Sequence, residues 1–113
     1  MAAVYVVNLV INAGSNFSQT FDLESSDTNS SLDLTGYTVE SQMRKYAGSS
    51  TAINFTSSIE IPQTSGKISI SLSAAETANI RPGRYVYDVL ITIGSIKTRA
   101  IEGMILVRDG VTR

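Results

Sequence analysis

Short segments in which apolar and polar residues alternate recur along this chain, and this pattern strongly limits what it can fold into. About seven or eight such segments are separated by polar turns every eight to twelve residues or so. Strict alternation places successive side chains on opposite faces of a β-strand, so that one face can be buried. Many short strands joined by polar turns are typical of antiparallel sandwiches and barrels. The pattern therefore predicts an all-β fold of one of these two kinds.

One helical turn interrupts the strands between residues 73 and 83. Ser73 and Glu76 have the spacing of a capping box, in which each side chain accepts a hydrogen bond from the other residue's backbone N–H. Pro82 and Gly83 then end the helix and turn the chain. We predict a short helix over residues 74–80, followed by a strand over residues 85–93 whose odd-numbered residues face inward.

The N-terminal segment is apolar on both parities, which distinguishes it from the other strands. An uncovered apolar strand is an aggregation hazard unless its edge is paired. It is either a core strand of its own domain or a strand that adds to, or swaps into, a neighbouring subunit. The second interpretation makes residues 1–11 a candidate partner interface, formed by Val4, Tyr5, Val6, Val7, Leu9, Val10 and Ile11.

The last strand also carries apolar residues on both parities. Ile101, Ile105 and Val107 share one parity, whereas Met104 and Leu106 share the other. A bulge near Gly103, or burial on both sides, would reconcile the two sets.

Length and composition exclude several classes of protein. The chain has 113 residues, which suits a single domain over residues 1–113 with one modest core. Its net charge of −1 is too small for strong attraction to nucleic acid or to an anionic membrane. No segment reaches the roughly twenty apolar residues of a membrane helix, and the N-terminus lacks the basic start of a signal peptide. We therefore expect no nucleic-acid or membrane partner.

Residues suited to catalysis or metal binding are sparse. The chain has no His and no Cys, so the usual general base and the usual zinc ligands are missing. Lys45, Lys67 and Lys97 occur on or beside expected exposed strand positions, where a lysine is solvated and is a poor base. Asp22, Glu24, Asp27 and Asn29 supply too few converging oxygens for calcium. We expect no catalytic residue, no metal, no cofactor and no small-molecule substrate.

The arginines of the second half of the chain are expected to lie on the surface and to form ion pairs there. Phosphate or nucleic-acid binding would favour exposed aromatic residues interleaved with them, and the tyrosines nearby fall on inward positions. We predict surface ion pairs instead, for example with Asp88 or Glu102.

Several segments, spread over residues 17–113, resemble a phage structural family. They are similar to the immunoglobulin-like β-sandwich domain at the N-terminus of baseplate upper proteins. The matching segments are LDLTGYTV at 32–39, QMRK at 42–45, GKISISLS at 66–73, ETA at 76–78, PGRYVYDV at 82–89 and the stretch from 102 to 113. The resemblance implies an immunoglobulin-like antiparallel β-sandwich with a structural role in a virion. In baseplate upper proteins more chain follows this domain, so here we expect a free-standing domain.

The expected function is therefore structural rather than enzymatic. The resemblance implies a tail or baseplate subunit of a tailed-phage virion, assembled in the host cytoplasm, that contacts other virion proteins and copies of itself. A capsid decoration or cement protein is the main alternative. A carbohydrate-binding host-attachment module fits less well, because the chain has no Trp and most of its Tyr and Phe residues fall on expected inward positions.

Overall fold

A computed structural model describes residues 5–24 and 30–111 of the chain. A helix α1 (Ala74–Ala78) and a 3-10 turn (Gln63–Ser65) interrupt a succession of strands. The strands in the described residues are β1 Tyr5–Val6, β2 Leu9–Asn12, β3 Phe17–Asp22, β4 Thr38–Arg44, β5 Ile53–Asn54, β6 Thr56–Ile59, β7 Lys67–Leu72, β8 Gly83–Ile93 and β9 Ile96–Arg108.

The strands form two packed sheets, which confirms the predicted β-sandwich. The larger sheet has the order β1-β9-β8-β4-β5, with β2 also paired to β9, and the smaller sheet has the order β3-β7-β6. Pairing is antiparallel except where β1 and β2 run parallel to β9. The smaller sheet packs against a larger sheet whose central strands are β4, β8 and β9. This arrangement is typical of immunoglobulin-like domains.

Two of the expected strands are each divided in the structure: the N-terminal segment forms β1 and β2, and the segment that begins at Ile53 forms β5 and β6. The segment that begins at Ile53 pairs first with β4 in the larger sheet, and after Phe55 it pairs with β7 in the smaller one. A strand that changes sheets in this way makes a corner of a sandwich. Phe55 is buried at this corner, 5.9 Å from the ring of Phe17 in the smaller sheet and 6.5 Å from the ring of Tyr87 in the larger.

The core lies between the sheets and consists of the inward residues of the alternating strands. Ile68 and Ile70 of β7 face Val89 and Ile91 of β8, and all four are almost completely buried. Burial of a side chain of this size is worth about 1.5–3 kcal/mol relative to exposure. The predicted alternation of β8 is confirmed through Ile91, whereas Ile93 is partly exposed beside the Gly94–Ser95 turn.

The predicted capping box is present at the start of α1. The Glu76 amide donates to the Ser73 hydroxyl at 3.2 Å, and the Ser73 amide donates to the Glu76 carboxylate at 2.9 Å. The helix is shorter than predicted and ends at Ala78. Beyond it, the Tyr85 hydroxyl donates to the Arg81 carbonyl oxygen at 2.6 Å, which is the tyrosine corner of immunoglobulin-like sandwiches.

The bulge expected near Gly103 lies three residues earlier. Val89 is opposite Ile101, but Leu90 is opposite Arg99, so Ala100 is the extra residue in β9. Both Ala100 and Ile101 are buried as a result. Beyond the bulge the parity is constant: Ile105 and Val107 face the core, and Met104 and Leu106 face outward.

Gly103 is the point where the backbone between β1 and β2 approaches β9 most closely. A Cβ atom at this position would lie 2.1 Å from the carbonyl oxygen of Val7, so only glycine permits the approach. The Tyr87 ring lies beside Gly103, and its hydroxyl donates to the same Val7 oxygen at 2.7 Å. The Asn8 side chain accepts a hydrogen bond from the Met104 amide at 3.1 Å. These contacts hold the short break between β1 and β2 against the sheet.

Candidate interaction surface

The solvent-facing side of the larger sheet, here called the outer face, carries a strip of apolar side chains. Val6, Val10, Met104 and Leu106 are 70%, 50%, 46% and 42% exposed. Scattered apolar residues are ordinary on a protein surface, but a contiguous patch of them marks an interaction site. The apolar strip consists of Val6, Val10, Val86, Leu90, Met104 and Leu106.

Strand register makes the central part of the apolar strip contiguous. Val10 is opposite Leu106, and Met104 is opposite Val86. Met104 and Leu106 are two residues apart on β9 and therefore share a face. Side chains directly opposite each other on paired strands are within contact distance, so the central part of the strip is continuous across β2, β9 and β8: Val10, Leu106, Met104 and Val86. Val6 and Leu90 extend it on either side of the polar residues Asn8 and Asp88.

An ion-paired cluster lies beside the strip. Asp88 and Glu102 are opposite each other on β8 and β9, an arrangement that like charges disfavour. Arg99 relieves the repulsion, because its guanidinium lies 3.5 Å from the Asp88 carboxylate and 3.4 Å from that of Glu102. The sequence predicted surface ion pairs of this kind, and these contacts confirm it. Their exposure limits each to less than about 1 kcal/mol.

Basic side chains lie at the opposite end of the same face. Arg84 is exposed at the start of β8, and its side chain makes no hydrogen bond or ion pair with a residue in the described ranges. Arg44 lies opposite Val86, where it donates to the Ser49 carbonyl oxygen and to the Gln42 side chain. The outer face is therefore basic towards the start of β8 and acidic near Asp88.

The shape of the outer face suits a broad partner. An open depression of about 710 Å³ spans it, lined by residues of the strip and of the ion-paired cluster. Small-molecule sites are concave and bury most of their ligand, whereas this depression is open along its length. A smaller groove of about 250 Å³ lies between Tyr5 and Val7 on one sheet and Phe21 and Leu23 on the other.

The predicted interface residues of the N-terminal segment fall into three groups. Leu9 and Ile11 lie in the domain's own core, and Tyr5 and Val7 are half-buried against it. Val6 and Val10 are exposed members of the apolar strip. Val4 lies outside the described residues. A partner interface over this segment remains a prediction, and the two exposed valines are the side chains in it that a partner could reach directly.

Sequence reasoning missed the larger part of the strip. In the sequence, Met104 and Leu106 are apolar residues of the second parity of the last strand, a pattern that predicts a bulge or burial on both sides. The even-numbered residues of the strand over residues 85–93, which include Val86 and Leu90, are expected to face outward, but no local pattern connects them with Met104. The missing information was the pairing of β8 with β9, which brings these residues side by side.

The other candidate residues do not form a reactive cluster in the described ranges. Lys45, Lys67 and Lys97 are exposed. No group of three or more metal-ligating side chains occurs within residues 5–24 and 30–111, and Asp27 and Asn29 of the oxygen-bearing residues considered for calcium lie outside these ranges. In the same ranges no helix combines the length and the apolar character needed to span a membrane. Burial raises the pKa of the Tyr87 phenol well above its ordinary value.

Comparison with known proteins adds information on the fold. No protein family model and no curated protein sequence matches this chain. Among solved structures, InlP of Listeria monocytogenes superposes with a TM-score of 0.52 at 15% identity, over 90% of this chain and 26% of that one. A family 123 glycoside hydrolase from Clostridium perfringens, studied for glycolipid glycan hydrolysis, superposes with a TM-score of 0.45 at 11% identity, over 96% and 24% of the two chains. This chain spans about a quarter of each of them, and at 15% identity the likeness to InlP concerns the fold alone.

Proposed function

We propose that this protein is a structural subunit of a tailed-phage virion, associated with the tail or baseplate, that works through protein–protein contacts and not as an enzyme. The observation that carries the proposal is the contiguous apolar strip on an open sheet face. A face of this kind is costly to leave in water and fits another protein surface better than a small molecule.

The sequence resemblance supplies the virion context. The resembling segments correspond to β4, β7, α1, β8 and the second half of β9. β4, β8 and β9 form the centre of the larger sheet, β7 is the central strand of the smaller sheet, and α1 lies at the corner between β7 and β8. The resemblance therefore covers parts of both sheets. The immunoglobulin-like sandwich is the fold that this family would require.

The test is the presence and copy number of the protein in purified phage particles. Quantitative mass spectrometry would compare its peptides with those of the major capsid and tail-tube proteins. A tail or baseplate subunit is expected at a small fraction of the capsid protein. An amount comparable with the capsid protein would favour the decoration alternative, and absence from the particles would overturn the proposal.

The carbohydrate-binding alternative has a separate readout. Purified protein would be applied to a glycan array, with binding to bacterial surface polysaccharides as the positive result. Tyr46 is the aromatic residue to mutate first, because its side chain is 63% exposed, unlike the buried Phe17, Phe21 and Phe55. The structural proposal expects no glycan binding and no effect of Tyr46→Ala on incorporation into particles.

A further inference from the structure

We propose that residues 5–12, here called the N-terminal arm, can exchange between two copies, so that the arm of each copy pairs with β9 of the other. The hinge of this exchange is the loop that joins β2 to β3, and Thr77 of α1 holds the hinge in its closed form. The proposal names a second copy as the partner of the β9 edge, and it goes beyond the virion role without depending on it.

The arm is attached to the rest of the domain along one strand. Among the described residues, β1 and β2 pair with β9 and with no other strand. The Val7 amide also donates to the Glu102 carbonyl oxygen at 2.9 Å, which continues the pairing between β1 and β2. Because β9 is the one strand that the arm pairs with, the arm can leave the sheet without separating any other pair of strands.

The core needs the side chains of an arm, whichever copy supplies them. Leu9 and Ile11 are buried in the core, and Tyr5 and Val7 pack against it. A core that loses such side chains exposes apolar surface and is left with a cavity. A released arm is therefore replaced by another arm more readily than by water. The arm of a second copy supplies the same side chains in the same register, including the Val7 carbonyl oxygen that Tyr87 binds.

The hinge decides between the two arrangements, because the contacts of the arm with β9 and with the core are the same in both. In the structure the hinge is a closed turn. The Ser15 amide donates to the Asn12 carbonyl oxygen at 3.0 Å, and Gly14 has a φ of 85°, which favours glycine. In the exchanged pair the hinge is extended, and residues 13–16 then span about 13 Å between the two domains.

Thr77 fixes the closed turn from the neighbouring helix. It is completely buried, and its hydroxyl accepts a hydrogen bond from the Gly14 amide at 3.0 Å and donates one to the Ser15 carbonyl oxygen at 2.8 Å. The Ala74 amide donates to the Asn16 side chain at 2.8 Å. Extension of the hinge breaks the bonds of Thr77 to the turn, so this residue favours pairing of the arm with β9 of its own copy.

A disulfide between the arm and β9 reports which copy supplies the arm. Val10 and Leu106 are opposite each other, both are exposed, and the chain has no cysteine. Neighbouring strands are about 4.8 Å apart, within the Cα separation that a disulfide bridges. After mild oxidation of the double variant Val10→Cys/Leu106→Cys, denaturing electrophoresis separates the internal disulfide of a closed monomer from the intermolecular disulfides of an exchanged pair.

Hinge variants are compared in this double-cysteine background over a range of protein concentrations. The wild-type hinge is expected to give mainly the internal disulfide. Thr77→Val removes both hydroxyl bonds with little change in volume, and it should raise the dimerisation constant about a hundredfold, which is about tenfold for each of the two hinges. Gly14→Pro excludes the closed turn, because proline cannot adopt a positive φ, and it should give mainly intermolecular disulfides.

Two controls separate exchange from other causes. Thr77→Ser keeps the hydroxyl, so it should cross-link as the wild-type hinge does. Val10→Cys alone and Leu106→Cys alone measure disulfides that form by random collision. When these two single-cysteine chains are mixed in the Gly14→Pro background and refolded together, a disulfide between them should exceed the level of either chain alone, because the arm of one copy then lies on β9 of the other.

The exchange is overturned by any of three results. The first is an internal disulfide alone in both Gly14→Pro and Thr77→Val at every concentration. The second is a mixture of the single-cysteine chains that cross-links no more than each chain does alone. The third is a Thr77→Ser variant that behaves as Thr77→Val does, because the hydroxyl would then not hold the hinge. None of these results bears on the virion role, which the copy number in particles tests separately.

Discussion

The phenolic hydroxyl of Tyr87 donates a 2.7 Å hydrogen bond to the carbonyl oxygen of Val7, joining residues 80 positions apart. Tyr87 is buried, so removal of its hydroxyl would leave the Val7 carbonyl oxygen without a hydrogen-bond donor at a position that water reaches poorly. The bond ties the N-terminal strand to the centre of the larger sheet. It is specific, because it forms only where Gly103 leaves room for the Val7 backbone.

Tyr87→Phe should therefore loosen the N-terminal strand. We expect the free energy of unfolding to fall by about 1–2 kcal/mol, and the amides of residues 5–13 to exchange with deuterium faster than in wild type. The matched control is Tyr85→Phe, which removes the hydrogen bond to the Arg81 carbonyl oxygen at the corner before β8. If both variants affect exchange at residues 5–13 equally, Tyr87 has no special role in holding this strand.

Gly103→Ala should displace the same strand by steric contact. The added Cβ would overlap the Val7 carbonyl oxygen, and the backbone must move because neither group can rotate away. Overpacking of this kind costs about 1–3 kcal/mol, measured by urea denaturation. Gly48→Ala is the control, since its Cβ would meet nothing closer than 3.8 Å and should change stability by less than about 0.5 kcal/mol. Equal stabilities of the two variants would contradict the close approach of Val7 to Gly103.

Ser73→Ala should weaken the corner between β7 and β8. The variant removes the hydroxyl that accepts the Glu76 amide, and loss of a helix cap costs about 1 kcal/mol. Thermal or chemical denaturation measures the change. Glu76→Gln keeps an oxygen that can accept the Ser73 amide, so its loss should be smaller. An equal or larger loss in the glutamine variant would show that the charge of Glu76, and not the capping box, matters here.

Asp33 should make stability depend on pH in the acidic range. Hydrogen bonds from the Thr35 hydroxyl and amide lower the pKa of its carboxyl below the ordinary value of 3.8. A lowered pKa stabilises the folded state above 3.8, and this contribution disappears as the pH falls through the folded-state pKa. Asp33→Asn should therefore reduce the melting temperature at neutral pH and have no effect at the most acidic pH where the protein still folds.

The same pair offers a graded check of that pH dependence. Thr35→Val removes the hydroxyl donor and keeps the backbone donor, so its melting temperature should lie between those of wild type and Asp33→Asn at neutral pH. If the melting temperatures of wild type and Asp33→Asn differ by the same amount at every pH, the charge of the carboxylate does not contribute to stability.

Local sequence patterns predicted those parts of the fold that depend on nearby residues. The alternation of Tyr87, Val89 and Ile91 depends on strand geometry alone, and the Ser73–Glu76 capping box depends on a spacing of three residues. Both were predictable because no distant residue decides them. The parallel pairing of β1 and β2 with β9 is a long-range relationship, and no local pattern specifies it.

The candidate surface was predictable only in part, for the same reason. The apolar character of Val6 and Val10 indicated an interface from sequence. Their union with Met104 and Leu106 depends on which strands are neighbours and on the position of the bulge at Ala100. A one-residue difference in that bulge would have turned Met104 and Leu106 towards the core.

The pairing of β1 and β2 with β9 also sets an order of events during synthesis. Tyr5 leaves the ribosome early, but its partner Ile101 is made much later, so β1 and β2 cannot take their places until translation has passed β9. Folds dominated by such distant pairings form in milliseconds to seconds, more slowly than local ones. The N-terminal segment therefore stays unpaired for most of translation. During that time it can pair with β9 of another newly made copy, which would give a domain-swapped product.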